Sequence, residues 1–115
     1  MADSPIRRKS FAFALKIIRL SNSLRQLREY VISNQLVRAG TSIGSNVEEA
    51  QAGQSRRDFL SKMAVASKEA RETKYWLRLI DEGRIGDLDV GSELADVDEL
   101  IRILTSIVKT TGRSK

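Results

Sequence analysis

At 115 residues the chain suits a single domain with a hydrophobic core of its own, and it holds neither cysteine nor histidine. Disulfides, thiolate zinc sites and thiol nucleophiles are therefore excluded, together with the commonest general base and the commonest metal ligand. The net charge of +5 is modest, no apolar run approaches the roughly 20 residues that cross a bilayer, and the N-terminus lacks the apolar core and cleavage site of a signal peptide, so a cytoplasmic protein is expected.

A single proline, Pro5, few aromatic residues and abundant Ala, Leu, Ile, Arg and Glu favour helix over sheet. The fold class expected is all-α. Apolar periodicity and capping residues predict helices at about residues 8–27, 31–52, 55–82 and 89–110. Four helices of about 20 residues with short connections read as one antiparallel up-down-up-down four-helix bundle over residues 1–115.

In the first helix, Phe13, Ile17, Leu20, Leu24, Leu27 and Val31 recur at alternating spacings of four and three, which marks one face. Ser4-Pro5 resembles an N-cap followed by proline at the first helical position, and Ser10 is a second candidate cap. Phe11, Leu15 and Ile18 fall on a roughly opposite face that the same core cannot bury. With Trp76, Val65 and Leu79 of the third helix, they are candidates for a subunit interface. Arg7, Arg8, Lys9, Lys16 and Arg19 supply cations beside them. Arg8, Lys9, Lys16 and Arg19 project from one flank, as a stripe facing nucleic-acid phosphates would, or as a solvated face answered by acidic residues elsewhere. No Gly or Pro marks the turn that follows, which is placed near residues 26–30.

The second helix contains "AGTSIGSNVEEAQAGQS", residues 39–55, whose small polar residues invite reading as a loop. The apolar register nevertheless runs through it, from Ile32 and Leu36 to Ala39, Ile43, Val47 and Ala50, which predicts continuous helix. The competing reading has Ser45 capping a new helix, with Glu48 completing a capping box. In a continuous helix, Gly40 and Gly44 share one face and allow a neighbouring backbone to approach closely. A phosphate-binding P-loop is not supported, since no strand precedes the glycines and no lysine follows them.

Ser55 and Asp58 form a capping pair for the third helix, whose apolar face runs Phe59, Met63, Ala66, Ala70, Thr73, Leu77 and Ile80. Gly83 and Gly86 punctuate "DEGRIGDLD", where Asp87 or Asp89 can cap the fourth helix, and Val90, Leu94, Val97, Ile101, Leu104 and Val108 continue the pattern. Charge is lopsided along the chain: residues 1–40 are basic and residues 81–115 acidic. No zinc-finger spacing or RNP aromatic pattern accompanies the basic part, so binding by charge would be weakly sequence-specific and strongly salt-dependent.

Glu48, Glu49, Glu69 and Glu72 are the remaining candidates for a metal or hydrolytic site. Bundle di-iron sites pair glutamate with histidine, which is absent here. Ion pairing suits them better, with Arg38 or Lys68 as partners for Glu48 or Glu72. No cofactor, no metal and no enzymatic activity are expected.

"QLVRAGTSIGSNVEEAQAGQSRRDFLSKMAVASKEARETKYWLRLI", residues 35–80, resembles the signature of the bacterial four-helix-bundle family encoded in 23S rRNA intervening sequences. The matching pieces are Gln35-Leu36 with Arg38, the "TSIGSNVEEA" block with Gly44, Asn46 and Glu48, the helix start from Ser55 to Phe59, and "SKEARETKYWL". The middle two helices carry the likeness strongly and the outer two by pattern. The resemblance implies an antiparallel four-helix bundle that assembles as a ring-like homopentamer and has no established enzymatic activity. It also implies similarity in fold to the basic accessory proteins of diversity-generating retroelements, which act with a reverse transcriptase and its RNA. A ribosomal component is not implied, because the dense positive charge of a protein embedded in rRNA is lacking. The expected function is a non-enzymatic homo-oligomer that binds RNA or DNA through the basic side of the first helix; the alternative is a protein-interaction scaffold that binds no nucleic acid.

Overall fold

The computed structural model describes residues 4–113. Four helices, α1 (Pro5–Gln26), α2 (Tyr30–Gln51), α3 (Arg56–Glu82) and α4 (Gly91–Arg113), account for nearly all of them, with one turn of 3-10 helix at Ile85–Asp87. Among the described residues there is no strand. Helices adjacent in sequence pack side by side and α4 returns to α1, giving an up-down-up-down bundle 48 Å long in which α1 and α4 touch least.

Each boundary has a local cause. Ser4 is extended and its hydroxyl accepts from the Arg7 backbone N–H at 3.4 Å, with Pro5 opening the helix. The helix therefore starts three residues before the expected position 8. Ser10 is not a cap: it is buried inside α1 and its hydroxyl donates to the Arg7 carbonyl at 3.3 Å. At the other end Arg28 takes a left-handed conformation (φ 62°), and the chain reverses over residues 27–29. That reversal breaks the apolar register, so Leu27 and Val31 do not continue the buried face, and Val31 is 74% exposed.

Residues 40–46 are helical, which excludes Ser45 as a cap. Their polar side chains turn back onto the helix instead of competing with it. Thr41 donates to the Val37 carbonyl at 2.7 Å, Ser42 to that of Arg38 at 2.6 Å, and Asn46 to that of Ser42 at 2.8 Å. Ser55 caps α3, accepting from the Asp58 N–H at 3.1 Å. The Asp89 carboxylate accepts from the Gly91 N–H at 3.0 Å, and α4 begins there instead of at residue 89.

The core runs the length of the bundle. Phe13, Ile17 and Leu24 of α1 meet Leu36, Ile43 and Val47 of α2, Met63, Leu77 and Ile80 of α3, and Leu100 and Leu104 of α4. Each such side chain contributes about 1.5–3 kcal/mol on full burial. Leu100 lies outside the predicted apolar face of α4, whereas Leu94, Ile101 and Val108 within it are half-buried, so α4 presents a broader arc than its spacing suggests.

Candidate functional site

Along the α1–α2 seam, Gly40 is buried and its Cα faces Ile17, while Gly44 faces the backbone of Ser10. Near the turn the same seam is closed by two serines. Ser33 Oγ donates to the Ser21 carbonyl at 3.0 Å, and the two hydroxyl oxygens lie 2.5 Å apart. Of the two glycines expected to permit close helix approach, only Gly40 stands where a side chain would collide, whereas a β-carbon at Gly44 would make ordinary contact.

The four glutamates do not converge. Glu48 receives two hydrogen bonds from Arg7 of α1, at 3.0 and 2.9 Å, and this guanidinium contact holds its carboxyl below the usual glutamate range. Lys62 reaches Glu49 at 2.7 Å. Arg38 bridges to Glu69 at 3.4 Å and to Glu72, and Glu72 also accepts from Trp76 Nε1 at 3.2 Å. Glu72 thus takes Arg38 as the sequence suggested, but the partner of Glu48 is Arg7, neither Arg38 nor Lys68.

Trp76 is half-buried and packs against this chain's own core, with its ring edge-on to Tyr75 at 5.3 Å between centroids. It differs in this from the other apolar candidates. Phe11 is 67% exposed and Leu15 and Ile18 are each 41% exposed, following one another at i, i+4 and i+7 along the outer side of α1. Val65 and Leu79 are exposed on α3.

Most of the cations beside that stripe already have partners within the bundle. Besides Arg7 on Glu48, Lys9 pairs with Glu99 at 2.9 Å, and Lys16 with Asp96 at 2.5 Å and with Ser92. The last two pairs lace the sparsely packed α1–α4 seam. Arg8 and Arg19 are exposed, and Arg19 forms no ion pair among the described residues. The acidic character of α4 thus answers the basic flank of α1 directly.

Sequence reasoning missed a second basic surface. Arg71, Lys74 and Arg78 of α3, with Arg102 of α4, line an open groove of about 480 Å³ together with Tyr75, Asp98 and Ile101. The spacing of Arg71, Lys74 and Arg78 on one helical face was visible in the sequence, but Arg102 joins them only through the packing of α4.

A sequential four-helix bundle with a glycine-lined α1–α2 seam and an Arg38–Glu72–Trp76 clasp defines a small all-α bundle protein. Residues 2–106 match the 23S rRNA-intervening sequence protein family, and the chain belongs to that family. It is similar in structure to a protein of unknown function from the S23 ribosomal protein family of Bacteroides thetaiotaomicron VPI-5482. The TM-score is 0.84 with 42% sequence identity, over 90% of this chain and 98% of that one. No curated protein matches the chain. No helix among the described residues is long and apolar enough to cross a membrane.

Proposed function

We propose that this chain is a non-enzymatic, self-assembling helical bundle of the cytoplasm whose subunits meet through the outer face of α1, as a homopentamer in keeping with the family resemblance. The observation that carries this reading is the exposed stripe of Phe11, Leu15 and Ile18, which a lone bundle leaves in water. Burying such side chains between subunits is favourable at about 25 cal/mol per Å². Trp76 contributes indirectly, by holding α3 in place. Arg7, Lys9 and Lys16 are engaged by carboxylates of α2 and α4, which leaves those three cations of α1 less available to nucleic-acid phosphates. A net charge of +5 is low for a component buried in rRNA, so the ribosomal wording of the related family describes that family and not a role adopted here.

Sedimentation equilibrium tests the reading. The wild-type chain is expected to assemble at micromolar concentration, and the Phe11→Glu/Leu15→Glu variant to sediment as a monomer with unchanged helical circular dichroism. A wild-type monomer, or a variant that assembles as the wild type does, overturns it.

A further inference from the structure

In the groove between α3 and α4 cations outnumber carboxylates, and an aromatic ring stands among them. The lining carries Arg71, Lys74, Arg78 and Arg102 against the single carboxylate of Asp98. We infer that this groove binds single-stranded nucleic acid, with the four cations on the phosphates and Tyr75 as a stacking platform for a base.

Three observations support that occupant. The first is the state of the cations. Arg102 forms no ion pair among the described residues, and Arg71 donates only to the Thr105 hydroxyl, at 3.2 Å. Lys74 pairs with Asp98 at 2.8 Å and Arg78 with Glu82 at 3.0 Å, but all four of these side chains are 41–62% exposed. Exposed pairs of this kind are weak and screened, so a phosphate displaces them at little cost.

The second is the ring. Tyr75 is exposed, yet it is braced edge-on by Trp76, which Glu72 holds through the indole N–H and which Arg38 fixes in turn. A ring held in this way loses little freedom when a base stacks on it, and stacking is tolerant of sequence. An acidic peptide would use the cations and leave the ring idle, which is why nucleic acid is the better fit. The third is placement. Both α2 and α4 stand between α3 and α1, so the groove lies on a different face from the apolar stripe.

The test is fluorescence anisotropy of labelled oligouridylate and oligothymidylate, titrated with the wild-type protein over a range of salt. For single strands the logarithm of affinity falls with the logarithm of salt by about 0.7 per phosphate neutralised, so four cations predict a slope near −3. The Arg71→Ala/Arg102→Ala variant should make that slope shallower by about 1.4. Tyr75→Ala should weaken binding by about fivefold to a hundredfold and leave the slope unchanged. Circular dichroism confirms that each variant is folded. The inference is overturned if the wild type shows no binding at low salt, if the groove variants bind as well as the wild type, or if a polyglutamate peptide competes as strongly as the oligonucleotide and Tyr75→Ala makes no difference.

Discussion

A β-carbon added to Gly40 would stand 2.7 Å from Cγ2 of Ile17, because the backbone of α2 presses directly against that β-branched side chain of α1. Ile17 is fully buried and its branch point is close to its own backbone, so it has no flexible end to swing away. Four residues on, the equivalent atom at Gly44 would meet the Ser10 carbonyl oxygen at 3.4 Å, which is ordinary contact. The two glycines therefore do different work. Gly40→Ala is expected to destabilise the protein by about 1–2 kcal/mol, overpacking outweighing the gain in helix propensity. Gly44→Ala is expected to be neutral or to stabilise by up to about 1 kcal/mol. Urea unfolding of both variants at one fixed protein concentration checks the contrast, and equal losses would refute it.

Near the other end of the same seam, Ser21 and Ser33 are both buried and bonded to each other as well as across the helix pair. Replacing either with alanine should cost about 0.5–1.5 kcal/mol, the net worth of an ordinary internal hydrogen bond. Because the two share one network, their effects should not add: the double variant is expected to lose at least about 0.5 kcal/mol less than the two single losses together. A double-mutant cycle read by denaturant unfolding measures that coupling, and strict additivity would show the hydroxyls to be independent.

What the sequence disclosed and what it withheld follow from the range of each interaction. The register from Leu36 through Ala39, Ile43 and Val47 is local, so the helical state of the glycine- and serine-rich block was legible, as was the Ser55 cap three residues from Asp58. Arg28 was not, since an arginine in the left-handed region carries no sequence mark of the kind a glycine does. Charge partners were the least accessible. Arg7 and Glu48 are 41 residues apart, and Lys9 and Glu99 are 90 apart, so their pairing depends on which helices adjoin and at what height. The basic flank of α1 therefore read either as a phosphate stripe or as a solvated face answered by acidic residues elsewhere, and only the placing of α2 and α4 beside it supplies the partners of Arg7, Lys9 and Lys16. Arg102 entered the α3–α4 groove for the same reason.

The Arg7–Glu48 contact makes a prediction about pH. The folded-state carboxyl of Glu48 titrates below its ordinary value of 4.5, chiefly because Arg7 hydrogen-bonds to its charged form. A depressed carboxylate lends stability that is present above the unfolded-state value and is lost as the pH falls through the folded-state value. Glu48→Gln should therefore leave the loss of stability below about pH 4.5 less steep than in the wild type, and in Arg7→Ala the Glu48 carboxyl should return toward its ordinary value. Carbon-detected NMR titration of the glutamate side chains reads both, and a Glu48 that titrates normally in the intact protein would contradict the contact.

Arg28 offers the converse of the glycine contacts. Its φ of 62° places an ordinary L-residue in a conformation that costs about 1–2 kcal/mol. The turn holds it there because the N–H of Arg28 donates to the Arg25 carbonyl at 2.9 Å and that of Glu29 to the Leu24 carbonyl at 2.9 Å, closing the end of α1. Its side chain is exposed and forms no ion pair among the described residues, so little is lost with it. Glycine relieves the strain but gives the unfolded chain more freedom, worth about 0.5–1 kcal/mol in the opposite sense. Arg28→Gly is accordingly expected to raise stability by about 0.5–1 kcal/mol, and Arg28→Val, whose branched side chain tolerates that conformation least, to lower it. Thermal unfolding of the pair at equal concentration, with helicity checked by circular dichroism, decides the matter; a destabilised glycine variant would mean that the turn is held by contacts of the arginine side chain and not by its backbone.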